Sequence, residues 1–137
     1  MAPTVNHIGV AVPSIAEFLE QNRVLYEGFS KGPLIENTRQ GVNEMFMTDG
    51  AITLELLEPA HAASPIAGFL KRNRAGGLIH IALEVDDLEG ILRNVEAAGG
   101  KTIVDPIADV AFQERRIAFV VLNGHVTELI ERKRGAR

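Results

Sequence analysis

Residues 6–12 (NHIGVAV) and residues 79–85 (IHIALEV) are two versions of one strand-like segment. A second matched pair follows each of them, at residues 52–58 (ITLELLE) and residues 125–131 (HVTELIE). In all four segments apolar residues alternate with other residues or run together over four to eight positions, which is typical of β-strands. The chain therefore contains an internal duplication of strand-forming segments.

One histidine and one glutamate are kept in each copy of the duplication. His7 lies 48 residues before Glu55, and His80 lies 48 residues before Glu128, so both residue types repeat at an offset of 73 (80 − 7 and 128 − 55). A single such residue on a strand is usually a hydrogen-bonded or solvated side chain. Two matched pairs at one offset favour a shared role, and we expect the four side chains to meet as metal ligands.

The residues between these segments predict the same order of elements in both copies. In the first copy, a helix begins at Ser14, whose spacing to Glu17 is that of a capping box. The turn sequence Asp49-Gly50 recurs 73 residues later as Asn123-Gly124, and both are typical of β-hairpins. The sequence thus predicts an α+β fold with two tandem βαβββ modules, about residues 1–60 and 75–137, in one domain of residues 1–137.

Composition excludes several classes of function. The 137 residues are 46% hydrophobic and 23% charged, as in ordinary globular proteins. The absence of cysteine excludes disulfides, zinc–thiolate sites and thiol nucleophiles. A net charge of −4 argues against nucleic acid as the main partner. No segment is long and apolar enough to predict a membrane span, and because no signal peptide is recognisable we expect a cytoplasmic location. The basic residues near the end of the sequence are expected to form a solvated tail: Arg132, Lys133, Arg134 and Arg137.

The proposed ligand set is His7, Glu55, His80 and Glu128. Two imidazoles and two carboxylates, without sulfur, suit one divalent ion such as Co, Mn, Ni, Fe or Zn. Four protein ligands leave an octahedral ion with open positions, which is typical of a catalytic site. The ion would act as a Lewis acid on a carbonyl or enolate oxygen.

Glu44 is the candidate general base. It lies early in the strand that precedes the strand of Glu55, and the equivalent position in the second copy is Ile117, so it is not part of the repeat. An unshared ionisable residue beside a shared metal site suits proton abstraction, although such a residue can also be a surface charge. Strand parity places Glu44 and Phe46 on one face. His61 and His125, in a loop and beside a turn, are expected to be exposed.

These motifs resemble the vicinal oxygen chelate superfamily, which includes glyoxalase I, extradiol dioxygenases and bleomycin-resistance proteins. Within it, the chain is most similar to the methylmalonyl-CoA epimerase family. Besides NHIGVAV, the resemblance rests on ELLEP at residues 55–59, SPIAGFL at residues 64–70 and AGGLIHIALEVD at residues 75–86. It implies paired βαβββ modules that form an open barrel-like metal-binding cleft, with the four ligands named above and a base at Glu44.

The resemblance also implies a reaction, namely proton abstraction next to a metal-bound carbonyl. Glu44 would take the proton from one face, and an acid on the opposite face, with Glu128 as the candidate, would return it. The implied substrate is a small molecule, with an acyl-CoA thioester as the candidate, and the implied assembly is a homodimer. Two alternatives stay open: a glyoxalase I-type lactoylglutathione lyase or other small-molecule lyase, and a non-catalytic protein that binds an antibiotic or other hydrophobic ligand.

Three departures from the epimerase pattern accompany the resemblance. Ile79 replaces the first of two adjacent histidines. Residues 109–115 (DVAFQER) stand in place of a glycine-rich loop, and residues 120–124 (VVLNG) in place of a His-Pro-Lys turn. The resemblance assigns the last two regions to the acyl-CoA pocket.

Overall fold

The computed structural model describes residues 1–133 of the chain. Two structural units are distinguished: His7–Ile79, and Met1–Asn6 together with the chain from His80 onward. Within residues 1–133 the elements are, in order, β1 (Thr4–Ala11), α1 (Ile15–Gln21), α2 (Arg23–Tyr26), β2 (Ser30–Lys31), β3 (Ile35–Asn37), β4 (Val42–Thr48), β5 (Thr53–Pro59), α3 (Ala67–Arg72), β6 (Gly77–Val85), α4 (Leu88–Ala97), β7 (Lys101–Ala108), the 3₁₀ helix η1 (Val110–Phe112), β8 (Arg116–Leu122) and β9 (His125–Glu131).

In the first unit the strands hydrogen-bond in the order β2-β4-β5-β1, and β3 also pairs with β4. β1 and β5 are parallel, with Gly9 beside Glu55. β4 and β5 form an antiparallel hairpin in which Phe46 lies opposite Glu55. Because directly paired residues point to the same face of a sheet, the side chains of Phe46 and Glu55 share one face.

In the second unit the strand order is β6-β9-β8-β7. β6 and β9 are parallel, with Ala82 beside Glu128, and β8 and β9 form a hairpin in which Phe119 lies opposite Glu128. The register is that of the first unit shifted by 73 residues, since Gly9, Phe46 and Glu55 correspond to Ala82, Phe119 and Glu128. The predicted α+β class with two βαβββ modules is confirmed.

The hydrophobic cores repeat at the same offset. In the first unit α1 packs on a buried cluster, and in the second unit α4 packs on the equivalent cluster. The helices therefore cover the sheet face opposite to the histidines. The matched buried positions are Val12 and Val85, Ile15 and Leu88, Met47 and Val120, and Leu56 and Leu129.

Helix starts follow the side-chain caps that the sequence contains. The Ser14 hydroxyl accepts a hydrogen bond from the Glu17 amide at 3.2 Å, as the predicted capping box requires. In the second unit the Asp87 carboxylate accepts a hydrogen bond from the Gly90 amide at 3.0 Å. These caps satisfy amide groups that the first turn of a helix leaves without a partner.

The expected solvated tail is wrong for Arg132. This residue is only 9% exposed, and its guanidinium donates hydrogen bonds to the Asp86 carboxylate at 2.8 Å and to the Thr4 hydroxyl at 3.0 Å. Composition alone could not show that these partners surround it. Lys133 is exposed, and Arg134 and Arg137 lie outside the described residues. Within residues 1–133, no helix has the length and apolar character needed to cross a lipid bilayer.

Gly76, in the connector before β6, provides a test of backbone packing in the first unit. Its φ is +87°, and a Cβ atom there would lie 2.2 Å from the Ala11 carbonyl oxygen. Gly99 has a similar φ of +93°, but a Cβ atom there would have no neighbour within 4 Å, so it is a matched control. We expect Gly99→Ala to lower the free energy of unfolding by about 1–2 kcal/mol, from left-handed backbone strain alone.

Gly76→Ala adds a backbone clash to the same strain, so its expected loss is larger, about 3 kcal/mol or more. Urea unfolding followed by circular dichroism measures both values. Equal losses for the two variants would contradict the close approach of Gly76 to β1.

Candidate metal centre and general base

The first histidine–glutamate pair lies on neighbouring parallel strands. His7 on β1 and Glu55 on β5 are both buried, and the distance from His7 Nε2 to Glu55 Oε1 is 3.2 Å. The Phe46 ring packs edge-on against the His7 imidazole, with 5.5 Å between ring centroids. Gly9, next along this face of β1, has no side chain, so the imidazole has space beside it.

The second pair reproduces this geometry. His80 on β6 and Glu128 on β9 are both buried, and the distance from His80 Nε2 to Glu128 Oε1 is 3.4 Å. The Phe119 ring packs edge-on against the His80 imidazole, again with 5.5 Å between centroids. Each duplicated module therefore buries one imidazole nitrogen next to one carboxylate oxygen.

The geometry within each pair suits a shared divalent ion. Each of the four residues offers one ligand atom, an imidazole nitrogen or a carboxylate oxygen. Two ligands about 2.1 Å from an ion and at right angles to each other lie about 3 Å apart. The observed nitrogen–oxygen distances of 3.2 Å and 3.4 Å are close to that value. These residues could hold a metal ion.

Glu44 is buried on the same face of the sheet as the first pair. It is 3% exposed and lies opposite Leu57 in the β4–β5 hairpin, so it is the diagonal neighbour of Glu55. Side chains in such diagonal positions are about 7–8 Å apart. The alternative role of Glu44 as a surface charge is wrong, because the residue is buried.

Asn37 is a residue of this site that the sequence analysis missed. It is 1% exposed, and its side-chain amide donates a hydrogen bond to Glu44 Oε1 at 3.2 Å. The side-chain oxygen Oδ1 of Asn37 accepts a hydrogen bond from the backbone amide of Gln40 at 3.3 Å.

The repeat does not mark Asn37, because the offset of 73 residues leads to the exposed Val110, whereas strand pairing puts the buried Asp109 in the equivalent place. Asn37 pairs with Val42, and the Asp109 amide donates to the carbonyl of Arg115.

The other two histidines, His61 and His125, are both exposed, as the sequence predicts.

The 109–115 segment, which departs from the epimerase pattern, forms η1 and a short turn. The buried carboxylate of Asp109 accepts a hydrogen bond from the Ala111 amide at 2.8 Å, which closes the turn. Gln113 and Glu114 both have positive φ, 57° and 64°, a backbone region that usually favours glycine.

Comparison with known proteins agrees with this geometry. The family model for the Glyoxalase/Bleomycin resistance protein/Dioxygenase superfamily matches residues 6–119. The chain belongs to this superfamily. The matched residues include His7, Glu55 and His80, together with Glu44.

Curated relatives and solved structures narrow the similarity to epimerases. Over 131 residues, 93% of this chain and 78% of the relative, the chain is 30% identical to a protein named mitochondrial methylmalonyl-CoA epimerase from Dictyostelium discoideum. It is 41% identical to the bovine protein of that name over 87 residues, which are 61% of this chain and 47% of that protein. Against some relatives, therefore, the match spans only about half of their length.

One solved structure is similar over almost the whole chain. It is a variant of Streptomyces coelicolor methylmalonyl-CoA epimerase in complex with 2-nitronate-propionyl-CoA, with a TM-score of 0.77 and 26% sequence identity. The similarity covers 94% of this chain and 96% of that one. The resemblance noted in the sequence, to the superfamily and to its epimerases, is confirmed.

The Asn37–Glu44 contact leads to a stability prediction. Replacing Asn37 by Ala removes a donor from a buried carboxylate, and we expect the free energy of unfolding to fall by about 1–3 kcal/mol. Asn43→Ala is the matched control, because the Asn43 amide donates to Glu58 at 3.1 Å but both residues are half-buried and water can replace the bond. Urea unfolding of both variants measures the difference. A loss for Asn37→Ala no greater than that for Asn43→Ala would contradict the contact.

Proposed function

We propose that this protein is a metal-dependent epimerase that removes a proton from the carbon next to the carbonyl of an acyl-CoA thioester. The observation that carries the proposal is the position of Glu44. A buried carboxylate, diagonal to Glu55 on the face that also carries His7, is within reach of a substrate carbon held at the first histidine–glutamate pair.

A single divalent ion, held by His7, Glu55, His80 and Glu128, is part of the proposal. The support is the equal burial of the two pairs, their nearly equal nitrogen–oxygen distances and their common offset of 73 residues. Imidazole and carboxylate ligands suit Co, Mn, Ni, Fe or Zn, and the site does not discriminate among them. When bound, the ion supplies Lewis-acid stabilisation of the negative charge that develops on the carbonyl oxygen.

Side chains of this protein would carry out the proton transfer. The Glu44 carboxylate accepts the proton from the carbon beside the carbonyl, and the electron pair of the broken C–H bond moves toward the carbonyl oxygen. The Asn37 amide, which donates to Glu44 Oε1, fixes the direction of the carboxylate. An acid on the other face of the substrate returns a proton to the same carbon, which inverts its configuration. Glu128 stays the candidate for that acid.

The choice of an acyl-CoA substrate rests on the relatives. The similar curated proteins are named for methylmalonyl-CoA, and the similar Streptomyces structure contains an acyl-CoA analogue. Failure of the epimerase assay would favour one of the two alternatives, which are a lyase of the glyoxalase I type and a ligand-sequestering protein. The cytoplasmic location, the homodimer and the single domain of residues 1–137 stay predictions from the sequence.

The role of Glu44 is tested by proton exchange. In heavy water, the wild-type protein should exchange the proton beside the carbonyl of methylmalonyl-CoA for deuterium, as followed by mass spectrometry. Glu44→Gln preserves the shape of the side chain but cannot accept the proton, so we expect the exchange rate to fall by about 10²- to 10⁴-fold. Metal content should be unchanged, because Glu44 is not among the proposed ligands.

Glu36→Gln is the matched control for this experiment. Glu36 is exposed on β3, the strand beside Glu44, and its replacement should leave the exchange rate as in the wild type. Exchange at the wild-type rate in the Glu44→Gln variant would show that another residue takes the proton. Absence of exchange in the wild-type protein loaded with each candidate metal would refute the epimerase proposal.

A further inference from the structure

One phenylalanine accompanies each histidine–glutamate pair. Phe46 on β4 and Phe119 on β8 are 73 residues apart (119 − 46), which is the offset of the histidines and of the glutamates. Phe46 lies opposite Glu55 in one hairpin, and Phe119 lies opposite Glu128 in the other. Each module therefore repeats three residues and not two: a histidine, a glutamate and a phenylalanine.

Each phenylalanine also contacts the histidine of its own pair. The ring centroids of Phe46 and His7 are 5.5 Å apart, and the two ring planes are inclined by 80°. For Phe119 and His80 the distance is again 5.5 Å, and the inclination is 75°. Edge-to-face contact at this distance is a favourable arrangement of aromatic rings. Because directly opposed residues of a hairpin are also close neighbours, one phenyl ring borders both candidate ligands of its pair.

The two rings lie on the sheet face that the helices do not cover. Met47, the residue after Phe46, packs in the buried cluster under α1, so Phe46 points to the opposite face. Ala118 and Val120, on either side of Phe119, pack in the cluster under α4, so Phe119 also points away from its helix. Both modules thus carry an aromatic ring beside the candidate ligands and outside the cores beneath α1 and α4.

We propose that Phe46 and Phe119 are positioning residues for the metal ligands. A ring in edge-to-face contact opposes rotation of the imidazole, so that Nε2 of each histidine stays directed toward the glutamate of its own pair. An apolar ring opposite the carboxylate also excludes water, which strengthens the attraction between that carboxylate and a cation. The inference rests on the metal ion of the proposed function, and it identifies what holds the candidate ligands in place.

The test measures the binding of Co²⁺ to the metal-free protein by equilibrium dialysis. Phe46→Leu and Phe119→Leu each keep an apolar side chain but remove the ring. We expect each variant to bind Co²⁺ about 10- to 100-fold more weakly than the wild type, which is the usual loss when a group that orients a metal ligand is removed. The two losses should be similar, and the visible absorption bands of bound Co²⁺, which report its ligand geometry, should change.

Phe18→Leu is the matched control. Phe18 on α1 packs against the cluster on the other face of the sheet, where its ring stacks on that of Tyr26 at 5.7 Å. This variant makes the same change of side chain and should lose stability, but its Co²⁺ affinity and absorption bands should stay at the wild-type values. If a leucine variant does not fold, methionine, which is unbranched and fills irregular gaps, replaces leucine at that position.

Two results would overturn the proposal. One is wild-type Co²⁺ affinity in both variants that lack a ring beside the ligands. The other is a loss of affinity in Phe18→Leu as large as the loss in those variants, because the effect would then follow from stability and not from position.

The test is separate from that of the proposed function. Binding of Co²⁺ does not depend on epimerase activity, so failure of the exchange assay leaves the result for the phenylalanines unaffected. If the wild-type protein binds no Co²⁺, the metal ion of the proposed function fails, and ¹³C relaxation at Cε1 of His7 and His80 in the metal-free protein then decides. Greater mobility of the neighbouring imidazole in Phe46→Leu and Phe119→Leu supports the positioning role, and unchanged mobility overturns it.

Discussion

Burial of a carboxylate beside an imidazole costs free energy unless a cation or a proton is shared between them. This protein contains two such buried pairs. His7 with Glu55, and His80 with Glu128, lie on parallel strand pairs whose remaining buried positions are largely apolar. A shared divalent ion would offset the cost, because it turns each buried pair into a pair of ligands. The parallel pairing of β1 with β5, and of β6 with β9, is what brings histidine and glutamate together in each module.

The two modules have the same scaffold but different chemistry. Where the first module has the buried Glu44, the second has the buried Ile117 at the same offset. An apolar residue at that position needs no hydrogen-bonding partner, whereas the buried carboxylate of Glu44 has a hydrogen bond from Asn37. The duplication therefore accounts for the candidate ligands, and the departure from it at Glu44 accounts for the candidate base. An enzyme that removes a proton from one face of its substrate needs such a difference between its halves.

Much of the fold and the candidate ligands could be predicted because the repeat constrains them. The spacing of 73 residues locates both histidine strands, both hairpins and matched core positions such as Val12 and Val85. The sequence does not predict helix α2, because its four residues, Arg23–Tyr26, are too few to show a helical repeat of apolar positions. Strand β7 extends to Ala108 although Pro106 lies within it, and its register with β8 shifts between Thr102 and Ile107. Side-chain partners that occur once were less predictable: the Asn37 amide reaches Glu44 only because β3 folds back against β4.

The central claim is that both histidine–glutamate pairs serve one ion. Titration of the metal-free protein with Co²⁺, followed by equilibrium dialysis and elemental analysis, tests it most directly. The account predicts saturation at one ion per chain, and a large loss of affinity when either His7 or His80 is replaced by alanine, because each variant removes one of four ligands. Saturation at two ions per chain, or wild-type affinity in both variants, would contradict it.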